Sequence, residues 1–285
     1  MTNPERTRVV FLDVDGTIVE DGRYIPASTI EAIRNARENG HLVFLCTGRS
    51  AVDLDQVLLD IGFDGAITNG GGHATFGEEV VVTRLLSAEA VAHLQERFEA
   101  HGVHWFLQGH DAMYISPGVA PFWDERRTKL SEQRRSGPRE GWVELVGEGI
   151  APLREIASAD PNTISKTVIL SDDASAVDRV LEELEGKFMH VTGTMPMPFG
   201  KSAEIAMLGM NKGATIVELL DHLGFDVQDA IGIGDNWNDI EMFEVCGVGI
   251  AMGNAELAVQ ELADEVTAPL DENGIANAFR RHGLV

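Results

Sequence analysis

Val9-Val10-Phe11-Leu12-Asp13-Val14-Asp15-Gly16-Thr17-Ile18 decides how this chain is read. Its first residues form a short run of Val, Phe and Leu, the composition of a buried strand. Two carboxylates follow at the carboxyl end. On extended backbone, residues two apart project to the same side, so Asp13 and Asp15 share a face. Gly16 and Thr17 end the strand and place the pair at the rim of a sheet, where open α/β proteins bind ligands. Two like charges that close are costly unless a cation neutralises them or one keeps a proton. The pair therefore points to a Mg²⁺ site with acid chemistry beside it. Asp-x-Asp-Gly is also ordinary turn chemistry, and the later segments decide between the two.

Downstream, residues 25–39 carry helical spacing (Ile30, Ile33, Ala36), with Pro26 near the start and Gly40 at the end. Residues 41–46 form a second apolar run, closed by Thr47-Gly48-Arg49. Strand, helix and strand of these lengths predict a right-handed βαβ unit with parallel strands, so Thr47 emerges at the same rim as Asp13. The spacing of Leu54, Val57, Leu58 and Ile61 predicts a helix over residues 50–61. A third short strand then runs into Asn69-Gly70-Gly71-Gly72, read either as a hinge or as a surface loop.

From about residue 85 the regular alternation stops. Helical patterns at 87–100 and 174–184 are mixed with strand-like runs at 104–107, 112–115, 142–145, 167–170 and 203–207, which predicts a separate α+β module. Residues 193–200, rich in Gly, Pro and Met, read as a linker or a loop of that module. Arg126, Arg127, Lys129, Arg134, Arg135 and Arg139 cluster in an otherwise acidic chain. A solvated surface accounts for them more simply than a polyanion contact.

The last part returns to the first pattern. Residues 212–224 form a helix with Ile216, Val217, Leu219, Leu220 and Leu223 expected inward, and residues 230–234 form a strand. Asp235, Asn238 and Asp239 then make a second acidic cluster, again at the end of an apolar strand. Capping is their commonplace role, but carboxylates at the carboxyl ends of two separate strands favour a cation. Mg²⁺ takes oxygen ligands and keeps several waters beside one or two carboxylates. Asp13, Asp235 and the Asp15 carbonyl are the expected donors.

The 285 residues suffice for one large or two ordinary domains. With 46 acidic against 22 basic residues the net charge is −24, which argues against nucleic acid and requires local positive charge for any anionic substrate. Lys212 supplies it, and the Thr47 hydroxyl with nearby N–H groups suits phosphate oxygens. No apolar run approaches the roughly 20 residues of a membrane span, and the polar start carries no signal-peptide pattern. Cytoplasm is the expected compartment, with Cys46 and Cys246 as buried, reduced thiols. Phosphoryl transfer calls mainly for positioning and charge neutralisation. Asp13 is then a candidate nucleophile, and Asp15 is placed to protonate the leaving alcohol and later activate water.

These residues carry a family resemblance. The chain resembles a haloacid-dehalogenase-superfamily phosphatase of the Cof-type branch, class IIB with an α/β cap. FLDVDGTI, LCTGR, Lys212 in MNKGAT and GDNWNDIEMF match four motifs in order, and TNGG, GIAMGNA and DENGI resemble further Cof-type segments. The resemblance implies Asp13 as nucleophile and Asp15 as acid/base, with phosphate contacts from Thr47, Gly48, Lys212 and Asn238. It implies Mg²⁺ on Asp13, the Asp15 carbonyl and Asp235, with Asp239 as support or an extra ligand. Arg49 belongs to its motif without an assigned role. The expected fold is a doubly wound parallel α/β core from residues 1–84 and 208–285 with an inserted α+β cap over 85–207. The expected activity is Mg²⁺-dependent hydrolysis of a small phosphorylated metabolite such as a sugar phosphate, with neither nucleic acid nor membrane as partner. A phosphomutase on sugar phosphates and a non-catalytic phosphate-ligand-binding regulator are the alternatives. A dinucleotide site is disfavoured because Trp237 holds the third glycine position after Gly232-x-Gly234.

Overall fold

Each residue of the strand Val9–Leu12 is buried, because the strand lies in the middle of a sheet covered on both faces. The computed structural model describes residues 7–110, 112–121, 124, 139–145, 153–193 and 200–285. Val9–Leu12 pairs in parallel with Leu42–Cys46, which pairs in turn with Gly65–Thr68. On its other side lie Ala230–Gly234, Val248–Ala251 and Glu265–Val266, all parallel. The chain thus builds outward one way, leaves, and returns to the opposite side of its first strand. That reversal makes the carboxyl end of Val9–Leu12 a topological switch point, where a crevice forms.

Alternate residues of the strand serve the two faces. Val10 and Leu12 pack with Ile33, Ala36, Ile275 and Phe279 of helices Ala27–Glu38 and Gly274–Arg281. Val9 and Phe11 pack with Ile216, Leu219 and Met242 of helices Lys212–Leu223 and Ile240–Val245. The Phe11 ring stacks on Phe44 at 5.5 Å. Such burial stabilises by about 1.5–3 kcal/mol per large apolar side chain.

A hairpin that the sequence pattern did not announce, His73–Phe76 with Glu79–Thr83, extends this sheet antiparallel beyond Gly65–Thr68. The expected helix over 50–61 is broken into a 3₁₀ turn, Ala51–Asp53, and one α-turn, Gln56–Leu59. Asp55 caps the second piece by accepting from the Val57 N–H, which leaves Leu54 extended between them. Val217, expected inward, is exposed instead.

Six further strands among the described residues form the expected α+β module. Among the described residues its sheet runs Leu153–Glu155, Met113–Ile115, His104–Gly109, Ile164–Ser171, Lys201–Met207, Phe188–Thr192. The four strands from His104–Gly109 to Phe188–Thr192 are antiparallel neighbours. Helices Ala88–His101 and Ala174–Leu184 cover one face, through Leu94, Phe98, Val177 and Val180. Ser87 and Asp173 cap their amino ends.

Trp142–Glu144, read from sequence with that module, pairs instead with Tyr24–Pro26 of the first unit. Arg23 is buried and ion-paired with Glu144, and Leu145 joins the first core. Arg139 pairs with Glu20 and lies over the Trp142 ring at 3.8 Å. The other basic residues of that stretch, and most of the 193–200 segment, lie outside the described residues. Cys46 and Cys246 are buried free thiols, and burial pushes both upward in pKa. Among the described residues no helix is long and apolar enough to cross a membrane.

Candidate active site

Asp13 is the first residue beyond the opening strand, and its N–H still donates to the Ile233 carbonyl at 2.9 Å. The backbone then turns sharply: the Ile18 and Val19 N–H groups both donate to the Val14 carbonyl. Gly16 makes the turn possible at φ +86°, in the left-handed region. A Cβ on it would overlap the Asp235 carboxylate. Gly16→Ala is therefore expected to destabilise the fold by roughly 1–3 kcal/mol from strain and crowding, measurable by denaturant unfolding.

Ala230–Gly234 delivers Asp235 to the same rim, where its carboxylate accepts from the Thr17 hydroxyl at 3.1 Å. Asn236 and Asp239 close a capping box around the 3₁₀ turn Trp237–Asp239. Lys212 begins the helix Lys212–Leu223, whose amino end Asn211 caps by accepting from the Ala214 N–H. The lysine side chain runs inward, only 1 % exposed, and its Nζ donates to Asp13 Oδ1 and Asp239 Oδ1, each at 2.5 Å. Asp239 Oδ2 accepts from the N–H groups of Asp235 and Asn236, both at 3.0 Å. Both oxygens of Asp239 are thus engaged in holding the lysine and the turn.

Oxygens of Asp13, Asp235 and Asp239 lie within 4.8 Å of one another. Three carboxylates face one ammonium, so negative charge is in excess. Burial pushes Asp13 well above the ordinary carboxylate range, opposed by Lys212 and reinforced by Asp239 and Asp235. Burial, then Asp239, pushes Asp235 up to about 7. On Lys212 burial works against the charge, but Asp13 and Asp239 outweigh it and hold its pKa above the usual lysine value. Oxygen donors crowded with unbalanced charge are what a hard divalent cation compensates.

Thr47 follows its strand as expected, and its hydroxyl accepts from the Arg49 N–H at 3.1 Å. A Cβ on Gly48 would lie 3.7 Å from Asn238 Nδ2, and the buried Asn238 Oδ1 has no hydrogen-bond partner. The fold thus brings Asp13, Lys212, Asp235 and Asp239 into one cluster, and Gly48 against Asn238. Asp15 is turned from the cluster toward Arg49, which grips it by a two-point fork, Nε to Oδ2 at 2.8 Å and Nη2 to Oδ1 at 2.6 Å. Its side chain is 52 % exposed.

Arg49 is one residue to which sequence reasoning assigned no role. Gln108, Lys166 and Glu204 of the inserted sheet are others. Gln108 Nε2 donates to the Gly48 carbonyl at 3.4 Å, and Lys166 Nζ lies 3.4 Å from the Cβ position of Gly48. The signal in the sequence was a buried-type strand pattern interrupted by one amide and one ammonium. The Asn69–Gly72 turn is a packed contact: a Cβ on Gly71 would overlap the Asn211 carbonyl, and one on Gly72 would press on Ser165 of the inserted sheet.

A family model described as haloacid dehalogenase-like hydrolase matches residues 10–279. The putative phosphatase YkrA of Bacillus subtilis (strain 168) is 27% identical over 98% of this chain and 99% of its own length. The 5-amino-6-(5-phospho-D-ribitylamino)uracil phosphatase YwtE of the same organism is 29% identical over 94% of this chain and 96% of its own. The solved structure of the HAD subclass IIB sugar phosphatase BT4131 superposes with TM-score 0.78 at 26% identity, covering 98% of this chain and 100% of that one. The chain belongs to the haloacid dehalogenase-like hydrolases and is a class IIB phosphatase of that superfamily.

Proposed function

We propose that this phosphatase hydrolyses a small phosphorylated metabolite in two steps through an aspartyl-phosphate on Asp13, with Mg²⁺ as cofactor. The observation that carries the reading is Lys212 Nζ, which ties Asp13 to Asp239 beside Asp235 at the switch point of the sheet. Asp13, Asp235 and the Asp15 carbonyl would hold the ion, while Asp239, already committed to Lys212 and two amides, holds the lysine. When bound, Mg²⁺ supplies positive charge that offsets the carboxylates and the phosphoryl oxygens. Thr47, Gly48, Asn238 and Lys212 take the phosphoryl oxygens.

In the first step a carboxylate oxygen of Asp13 attacks phosphorus, and the bond from phosphorus to the substrate oxygen breaks. Asp15 gives its proton to that departing oxygen, releasing an alcohol. In the second step Asp15 takes a proton from water, whose oxygen attacks phosphorus. The P–O bond to Asp13 breaks, and inorganic phosphate leaves. Arg49 occupies both Asp15 oxygens, so the fork has to open for Asp15 to reach the departing oxygen. Its exposure to solvent supports that rearrangement. Buried thiols at Cys46 and Cys246 suit the reducing cytoplasm.

The reading is tested by phosphate release from a panel of phosphorylated metabolites, with Mg²⁺ and with a chelator. Release without any acceptor alcohol, falling at least about tenfold on chelation, is expected. Transfer to a second hydroxyl with no free phosphate would instead mark a mutase, and inactivity on the whole panel a binding protein.

A further inference from the structure

The α+β module leaves the core just after the strand Glu79–Thr83 and returns to it just before the helix Lys212–Leu223. Arg84 stands on the outgoing crossing, and its side chain grips the helix on which the chain comes back. Nη2 donates to Glu218 Oε1 and Nη1 to the Thr215 hydroxyl, each at 2.5 Å. Nη1 also donates to the Gly71 carbonyl at 2.9 Å, and the Arg84 N–H to the Gly72 carbonyl at 2.7 Å. The Thr215 hydroxyl in turn donates to that same Gly71 carbonyl at 2.8 Å. Arg84, Thr215 and Gly71 thus close a ring of hydrogen bonds around a buried hydroxyl.

What the ring braces is the first turn of the helix. Lys212 and Thr215 are three apart and share a face. On one side Gly71 lies against the Asn211 carbonyl, and on another a Cβ on Gly213 would overlap the Glu241 carbonyl, so the turn is wedged between two backbones. The far end of the Asn69–Gly72 turn is bonded to the Thr47 loop: the Asn69 N–H donates to the Arg49 carbonyl at 2.7 Å and the Gly70 N–H to the Thr47 carbonyl at 3.0 Å. The glycine turn is therefore a strut between the Thr47 loop and the Lys212 helix, with Arg84 as the pin at its helix end.

We propose that Arg84 is a positioning residue for Lys212, fixing the first turn of the helix so that Nζ arrives between Asp13 and Asp239 in register with Thr47. The proposal rests on the reading above that Lys212 serves the reaction. A lysine packed this tightly cannot re-aim its ammonium independently of its backbone, so a tilt of the turn moves Nζ with it. A misplacement of about 1 Å at a reacting centre can cost about a hundredfold in rate. A planar guanidinium suits the task, since it reaches a carbonyl, a hydroxyl and a carboxylate at once from fixed directions.

A double-mutant cycle with Lys212→Met tests this, with kinetics on phenyl phosphate and on the panel metabolite hydrolysed best, and rates counted per folded protein by circular dichroism. Arg84→Met is expected to lower kcat/KM about tenfold in the parent, mostly through kcat, because the group it misplaces acts in the transition state. In the Lys212→Met background the same change is expected to cost less than about twofold, since nothing is left to position. A purely structural arginine would lower Tm and show equal rate losses in both backgrounds; that result overturns the proposal, as does a parental rate in Arg84→Met alone. Where the Arg84 double variant does not fold, the same cycle with Thr215→Val, which removes only the hydroxyl from the ring, decides by the same pattern. If Lys212→Met is impaired but Arg84→Met and Thr215→Val are not, only this assignment fails. If Lys212→Met keeps the parental rate, or the parent releases no phosphate from any substrate, the reading of the active site fails and the assignment with it.

Discussion

Asp13→Asn is expected to lower kcat on phenyl phosphate by at least about a thousandfold while leaving the protein folded and no less stable. The amide has nearly the shape of the carboxylate and still presents an oxygen to Lys212, so packing at the strand end is kept. It lacks the negative charge and the nucleophilicity needed to form the covalent intermediate. The stability expectation follows from the charge imbalance. Asp13 is buried with Asp235 and Asp239, and burial with those neighbours pushes its carboxyl upward against the pull of Lys212. Replacing it with a neutral group relieves like-charge repulsion and leaves Lys212 paired with Asp239. Active sites trade stability for function in this way. Steady-state kinetics with a thermal melt checks both halves: a variant that keeps its rate removes Asp13 from the chemistry. A large drop in Tm shows that the carboxylate is there for stability.

How much of this was readable beforehand depended on how local the information was. The strand Ala230–Gly234 and the helix Ala174–Leu184 fall where periodicity put them, because each is decided by its own apolar pattern and end signals. The βαβ rule then carried Asp13 and Thr47 to one rim without any contact being known. Charged residues from three separate stretches of the chain meet there: Lys212 is 199 residues from Asp13 and reaches it at 2.5 Å. What escaped was set by partners elsewhere in the chain. Trp142–Glu144 has a strand's composition, but its sheet is set by contacts with the first unit: Glu144 pairs with the buried Arg23, and Leu145 joins the first core. The hairpin after Asn69–Gly72 is short and partly exposed, so it lacks the apolar run of an interior strand. Val217 belongs to an apolar stripe by spacing, yet the stripe is wider than the surface available to cover it. Gln108, Lys166 and Glu204 could be placed over Gly48 only once the register of three antiparallel strands was known.

The second large effect has the opposite sign for stability. Lys212→Met is expected to lower kcat/KM at least about a hundredfold and to destabilise the protein by roughly 3–5 kcal/mol, the range for breaking a buried ion pair from one side. The lysine is as inaccessible as a core leucine, yet it supplies a positive group bonded to both Asp13 and Asp239. Methionine fills much the same volume, so the loss is electrostatic rather than a cavity. Without the ammonium, Asp239 keeps its two backbone amides, but Asp13 loses its counter-charge and faces Asp235 and Asp239 alone. The variant should therefore respond to Mg²⁺ more than the parent does, since a cation bound to the folded state then supplies the missing charge as well as its own binding energy. Thermal melts with and without Mg²⁺ check this: the expected result is a Tm well below that of the parent in chelator, with a larger upward shift on adding the ion. An unchanged Tm in chelator would mean that the Asp13–Lys212–Asp239 bridge contributes nothing to holding the strand ends together, and that the cluster is organised by the backbone turns alone.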